Sequence, residues 1–141
     1  MSQQRPPCSA YEKTRGMMYF PRMLNKIRLF ASGELRPDFH GNMGKGGDGW
    51  CLSFLRVEYA ALRERVLAGA TDEEVFDWCA ANGRELNDTD LLVWNSFIAK
   101  LGWNDLATPR LRTYKEGSGL AEREDIQTIA EYFEVDEGRK P

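Results

Sequence analysis

The chain has 141 residues, of which 42% are hydrophobic and 29% are charged, and its net charge is −3. This length fits one domain that buries a core without metal or disulfide support, and the composition excludes wholesale disorder. No run approaches the roughly 18 apolar residues of a membrane helix. Residues 1–16 lack the apolar block of a secretory signal. We therefore expect a cytoplasmic protein without a membrane segment.

Charge and the few metal-binding side chains narrow the class of partner. Residues 1–60 hold nine Lys/Arg against five Asp/Glu, whereas residues 61–141 hold ten against seventeen. Nucleic acid binds basic surfaces, so we expect no nucleic-acid partner and an anion-facing surface in the first half. Three cysteines without a C-x-x-C pair indicate free thiols in a reducing compartment. The single histidine, His40, excludes zinc sites built on two or more histidines, and no metal is predicted.

The first predicted helix follows a terminal arm. Residues 1–14 contain two consecutive prolines, which exclude helix, and we expect a flexible or loosely docked arm. Helical spacing begins at Pro21, a residue favoured in a first helical turn, and stops at Gly33. Arg22 and Lys26 are four residues apart, so they share one face of this helix and project together.

Further helix signals follow a glycine-rich loop at residues 41–49. Asp48 is in position to cap a short buried helix, and Thr71 and Glu74 have the spacing of a capping box. Asn87 or Asp88 can cap a further helix, and Gly102 is placed to end it in the left-handed conformation. The helices predicted after the loop cover residues 50–55, 58–68, 72–82, 88–101 and 121–133.

The whole pattern predicts a mainly α fold. No alternating strand run and no internal repeat is present. We expect a single compact domain of about six helices over residues 15–135, with the glycine-rich loop between the first and second helices. The charged residues 136–141 are expected to form a frayed tail.

Several sequence blocks resemble a known family. They are FPRMLNKIRL at 20–29, GNMGKGGDG at 41–49, LRERVLAGATDEEV at 62–75 and WNSF at 94–97. They are similar to a bacterial family of small proteins catalogued as a domain of unknown function. The resemblance covers roughly residues 14–107 and implies a single domain. It implies no activity, cofactor or catalytic residue.

The glycine-rich loop is the strongest candidate site. Its nine residues contain five of the thirteen glycines, and glycine backbone lets successive amides converge into an anion-binding concavity. A helix beginning behind the loop would direct its free amides and dipole at the same space. The alternative is a tight crossing over the core in which the glycines only fill turn positions. The predicted ligand-binding residues are Arg22, Lys26, Asn42, Gly44, Lys45, Gly46 and Gly47.

The loop does not match any of three known ligand-binding motifs. A phosphate-binding P-loop needs Ser or Thr after its lysine, but Gly46 follows Lys45. A calcium loop needs glycine and glutamate where Met43 and Gly49 stand. A dinucleotide fingerprint requires a βαβ unit that the helical pattern does not offer.

The sequence leaves catalysis open. His40 and Asp48 are the acid–base candidates, and Cys51 between apolar neighbours is expected to be a buried thiol. The preferred function is binding, and in an enzyme transformation, of a small anionic or phosphorylated metabolite by a monomer or homodimer. The alternative is a protein–protein interaction module without catalysis. The cofactor is left open, as are the roles of Trp103 and of Arg110, Arg112 and Lys115.

Overall fold

The computed structural model describes residues 3–141. This part of the chain contains seven α-helices, one 3-10 helix and a small hairpin. The mainly α prediction is confirmed. The elements are β1 (Lys13–Thr14), β2 (Met17–Met18), α1 (Phe20–Ala31), a 3-10 helix (Pro37–Asn42), α2 (Gly47–Leu55), α3 (Tyr59–Leu67), α4 (Asp72–Asn82), α5 (Asp88–Lys100), α6 (Thr108–Gly117) and α7 (Ile129–Asp136).

Side-chain caps fix where several helices begin. The Thr71 hydroxyl accepts a hydrogen bond from the Glu74 amide at 3.2 Å, and the Glu74 carboxylate accepts one from the Thr71 amide at 2.9 Å. Asn87 and Asp90 form the same reciprocal pair at the start of α5. Each pair satisfies amides that have no partner inside the helix, so both predicted starts are confirmed.

Two helices differ from their predictions. The glycine-rich loop predicted at 41–49 is shorter in the structure, because residues 41–42 end the 3-10 helix and α2 begins at Gly47, which leaves only 43–46 between the helices. Asp48 lies inside the first turn of α2 with its carboxylate turned into the protein, so the predicted capping role is wrong. The last helix was predicted over 121–133, but α7 begins at Ile129, where the Thr128 hydroxyl accepts from the Glu131 amide at 3.1 Å. Residues 121–128 form turns and irregular backbone, and the helix begins only after Thr128, whose hydroxyl caps it.

The hairpin was not predicted, because two-residue strands give no alternating pattern. Its turn residues Arg15 and Gly16 have φ of 51° and 82°, as a type I′ turn requires. Trp94 on α5 donates its indole N–H to the Met18 carbonyl at 2.8 Å, and Asn95 accepts from the Met18 amide at 2.9 Å. The hairpin is therefore tied to α5.

The buried side chains form two clusters. The larger contains Phe20, Leu24 and Leu62, where α1 packs on α3, and it extends to Trp94 on α5. The smaller joins α6 to α7 and contains Leu101, Ala107, Leu111, Ile126, Ile129 and Tyr132. The clusters meet where α5 packs on α7, and the main cavity lies at this junction.

Both terminal segments contact the helical body. Ala10 is buried, and the Glu137 side chain is fully buried against Arg22. The predicted flexibility of residues 1–14 and 136–141 stays a prediction, and the first two residues of that arm lie outside the described range. Because both segments pack on the helices, the contacts mark no boundary between them and the domain predicted over residues 15–135.

Candidate functional site

A cavity of about 530 Å³ lies between the glycine-rich loop and the last two helices. Proteins bind small molecules in concave sites of this size. Lys45, Gly46 and Gly47 line one side, and residues of α6 and α7 line the other. The cavity therefore combines the predicted loop with helices that lie more than sixty residues further along the chain.

Two residues at the start of α2 line this cavity and have amides without an acceptor among the described residues. The amides of Gly46 and Gly47 have no acceptor within residues 3–141, whereas the Lys45 amide donates to the Asn42 carbonyl at 3.0 Å. Gly46 has φ of 58° and ψ of −123°, a backbone that favours glycine. Free amides at a helix start carry partial positive charge, so this edge of the cavity favours an anion.

Two cations flank these amides. Lys45 and Arg110 both line the cavity, and within the described chain neither has a carboxylate at ion-pairing distance. A Cβ placed on Gly46 would lie 3.5 Å from Nη1 of Arg110. The guanidinium is thus beside the loop, and sequence reasoning did not connect the two. No sequence signal links a residue on α6 to a loop so far away.

Two carboxylates also line the cavity, and one guanidinium pairs with both, so one of their two negative charges is offset. Asp38 and Asp136 accept from the Arg36 guanidinium at 2.7 and 2.8 Å. Hydrogen bonds from Arg36 hold the pKa of Asp38 below its usual value. This arrangement limits the repulsion that an incoming anion would meet.

A buried hydrogen-bonded triad forms the wall behind the loop. Asp48 Oδ1 accepts from the Tyr19 hydroxyl at 2.7 Å and from Lys26 Nζ at 3.0 Å, and its Oδ2 accepts from the Gly44 amide at 3.0 Å. Lys26 also donates to Tyr19 Oη at 3.1 Å. Tyr19 and Lys26 line the cavity, whereas Asp48 is 1% exposed. The loop is therefore anchored through a carboxylate that serves as its internal acceptor.

Burial shifts the pKa of two members of this triad, Lys26 and Tyr19. It lowers the pKa of Lys26, and the attraction of Asp48 opposes that effect. Burial, followed by the negative charge of Asp48, raises the pKa of Tyr19 well above its ordinary value. Both shifts favour the neutral side chains, because a charge inside a protein loses its hydration.

Tyr19 and Gly47 approach each other too closely for any other residue at the glycine. A Cβ on Gly47 would lie 2.7 Å from Tyr19 Oη. Tyr19 itself has φ of 75°, an uncommon backbone for a bulky residue. The contact gives Gly47 a steric reason to be glycine, in addition to the turn geometry expected from sequence.

Arg22 does not face the cavity with Lys26. It is fully buried, and its guanidinium donates to both Glu137 carboxylate oxygens at 2.8 and 2.7 Å. It also lies 4.0 Å from the centre of the Phe133 ring. The helix does place Arg22 and Lys26 near each other, but Arg22 holds the C-terminal segment and is left out of the candidate site.

The remaining predicted residues are distributed unevenly. Asn42 lines the cavity, and Gly44 lies against the Tyr59 ring with φ of 74°. His40 is exposed, its Nε2 is 2.8 Å from the Leu35 carbonyl oxygen, and it does not line the cavity. Within the described residues, no hydrogen bond joins His40 to Asp48, the other acid–base candidate. Cys51 is fully buried, as expected.

The wall opposite the loop is mixed in character. Ser118 and Tyr132 share a hydrogen bond between their hydroxyls, and the Tyr132 ring stacks on Tyr114 at a centroid distance of 5.5 Å. Apolar side chains complete this wall, among them Ile98 and Ile129. The cavity thus has a cationic end and a wall that suits the uncharged body of a small molecule.

A second cavity of about 420 Å³ lies beside the end of α5. Its lining includes Trp103, Arg112 and Lys115. Lys115 donates to the Arg123 and Ile126 carbonyls at 2.6 and 3.1 Å, so it holds the turn before α7. Of the basic residues left open by the sequence, only Arg110 reaches the main cavity.

Within residues 3–141 no group of three or more His, Cys, Asp or Glu side chains is arranged to hold a metal ion. In the same range, every helix is too short or too polar to cross a membrane.

Comparison with known proteins identifies the family. Residues 4–139 match the family model described as Domain of unknown function (DUF5069), so the chain belongs to this family. No curated protein matches the chain.

Proposed function

We propose that this member of the DUF5069 family binds a small anionic or phosphorylated metabolite in the main cavity. The observation that supports the proposal is the grouping of two unpaired cations, Lys45 and Arg110, with the free amides of Gly46 and Gly47 at one end of that cavity. Backbone amides and guanidinium groups both donate charge-assisted hydrogen bonds to phosphate and carboxylate oxygens.

The proposed contacts differ from those first inferred from sequence. Lys45, Gly46, Gly47 and Asn42 are kept, and Arg110 is added. Lys26 also lines the cavity, but its amine donates to Asp48 and Tyr19, so it is not counted among the anion contacts. The apolar and hydroxyl-bearing wall supports a ligand with an uncharged part, which a free inorganic ion lacks.

Titration of the protein with inorganic phosphate, followed by thermal shift and calorimetry, tests the proposal. A ligand that binds only the folded state raises the melting temperature as its concentration rises. Arg110→Ala should weaken phosphate binding about ten-fold, since a hydrogen bond to a charged group contributes about 1.5 kcal/mol. Arg112→Ala is the matched control, because Arg112 is on the same helix but does not line this cavity.

A second comparison tests the loop itself. Lys45→Ala should weaken phosphate binding, whereas Lys100→Ala, which removes an exposed lysine at the end of α5, should not. Equal phosphate affinity of wild type, Lys45→Ala and Arg110→Ala would contradict the proposal. Screening phosphorylated and carboxylate metabolites against the same variants would then identify the ligand.

A protein–protein interaction module is the second candidate function. Four apolar side chains are strongly exposed on α5 and the loop after it: Leu92 at 67%, Val93 at 57%, Trp103 at 55% and Leu106 at 72%. Exposed apolar side chains in one region are typical of interaction surfaces. Light scattering after size-exclusion chromatography tests this candidate: a dimer that Leu92→Ser converts to monomer supports it.

The proposed setting is the cytoplasm. Cys8, Cys51 and Cys79 are all free thiols, and free thiols are typical of reducing compartments. Nucleic acid is not proposed as a ligand, because the chain carries a net charge of −3.

A further inference from the structure

We propose that Lys26 is a nucleophile that forms an imine with the carbonyl group of a small anionic carbonyl compound, such as an oxo acid or a phosphorylated aldehyde. This inference rests on the proposed anion site and adds a reaction to it. The geometry of Lys26, Tyr19 and Asp48 carries it.

The hydrogen bonds of Lys26 fix the direction of its free position. A neutral amine has two N–H groups and one lone pair. The donors of Lys26 are directed to Tyr19 Oη at 3.1 Å and Asp48 Oδ1 at 3.0 Å. The remaining tetrahedral position is the lone pair, and Lys26 lines the cavity. A carbonyl carbon in the cavity would react at that position.

The reactive nitrogen lies close to the anion-binding end. Tyr19 Oη is 2.7 Å from the position that a Cβ on Gly47 would occupy, and Lys26 Nζ is 3.1 Å from the same hydroxyl. One side chain therefore separates the amine from the free amides of α2. This short separation suits a compound whose anionic group and carbonyl group are near each other.

The surroundings of the amine favour this chemistry. Lys26 is 6% exposed, and burial lowers its pKa, which increases the fraction of neutral amine. Lysines in such settings are the ones that form imines in proteins. Tyr19 carries an uncommon positive φ, and strained residues of this kind concentrate at functional sites.

The bonds and protons of the step balance. The lone pair of Lys26 Nζ adds to the carbonyl carbon, and one N–H proton moves to the carbonyl oxygen to give a carbinolamine. The hydroxyl then leaves as water with the second N–H proton, and the carbon–nitrogen double bond forms. Asp48 and Tyr19 are hydrogen-bonded to the nitrogen and to each other, so they can carry these protons.

Borohydride trapping tests the inference without knowledge of the natural ligand. The intact protein is incubated with pyruvate or pyridoxal phosphate, reduced, digested and mapped by mass spectrometry. The neutral probes acetone and pyridoxal serve as comparisons. We expect the reduced adduct on Lys26 in preference to the exposed lysines Lys45 and Lys100, and competition by inorganic phosphate. Adducts spread over exposed lysines with Lys26 unmodified would overturn the inference.

Variants separate this inference from the anion site. Asp48→Asn should slow labelling of Lys26 about 100-fold, as expected for loss of an acid–base group, whereas Lys100→Arg, an exposed substitution at the end of α5, should leave Lys26 reactive. Phosphate binding without any Lys26 adduct would contradict the inference that Lys26 forms an imine, but it would agree with the proposed function. If anionic and neutral probes label Lys26 equally and phosphate does not compete, the result would contradict the anion site and support Lys26 as a reactive lysine. Mapping on the wild-type protein remains decisive even where Asp48→Asn fails to fold.

Discussion

Arg22 and Glu137 form a bidentate ion pair in which both side chains are fully buried, with nitrogen–oxygen distances of 2.8 and 2.7 Å. The pair joins the first helix to the residue that follows the last one. Arg139 also contacts Glu137, and its Nη1 donates to the Pro7 carbonyl at 3.2 Å. The two chain ends are thus held together through one carboxylate.

Glu137→Ala should lower the free energy of unfolding by about 3–5 kcal/mol, because it leaves the Arg22 charge buried without its partner. Chemical denaturation measures the change. Glu122→Gln is the control: Glu122 is exposed, and its substitution should change stability by less than about 0.5 kcal/mol. A similar small effect for Glu137→Ala would mean that the C-terminal segment is detached in solution.

Gly47→Ala should destabilise the protein by about 1–3 kcal/mol through overpacking, because its Cβ would meet Tyr19 Oη at 2.7 Å. Combining it with Tyr19→Phe should recover part of the loss, since the colliding oxygen is then absent. Gly41→Ala is the matched control, with open space at the Cβ position. Additive effects of the two substitutions would show that the contact is not the cause.

Trp94→Phe should cost about 1–3 kcal/mol, because it leaves the Met18 carbonyl without the indole donor that lies 2.8 Å away. Thermal unfolding of the variant tests this expectation. Trp103→Phe provides the comparison, since Trp103 is 55% exposed and its replacement should be nearly neutral. If both variants unfold at the wild-type temperature, the hairpin does not depend on α5.

Stability should fall at alkaline pH. Burial raises the pKa of Cys79 from 9.0 to about 12. The folded state therefore keeps a proton that the unfolded state releases, so this contribution is complete below about pH 9 and is lost as the pH rises toward 12. Cys79→Ala should flatten the decline, measured as the difference between the two stability curves. That difference cancels the contributions of Tyr19 and Lys26, which titrate in both proteins.

The control for this pH effect is Ser53→Ala, an exposed substitution without a titrating group. Its stability curve should run parallel to that of the wild type. A Cys79→Ala curve that also runs parallel would contradict the assigned role of the buried thiol.

The candidate site could be predicted only in part. The glycine count and Lys45 identified the loop, since clustered glycines next to a helix start are visible in any short window of sequence. Arg110 could not be connected to it, because α6 reaches the loop only through the packing of the two cores. Arg22 was assigned to the anion face because helix periodicity predicts only which side of the helix a residue is on. Its partner on that side, Glu137, comes from a segment more than 100 residues away, which periodicity cannot predict.

Local interactions let the sequence determine the helical class, the caps at Thr71 and Asn87, and the glycine stop at Gly102, whose φ is 101°. Each depends on residues within one helical turn of each other. Only the tertiary structure determined which charged groups are paired. Asp48 is turned inward to Lys26 and Tyr19, while Lys45 and Arg110 line the cavity without an ion-pair partner among the described residues. The reason is physical, since a buried charge requires a partner, and that partner is chosen by packing between segments distant in sequence.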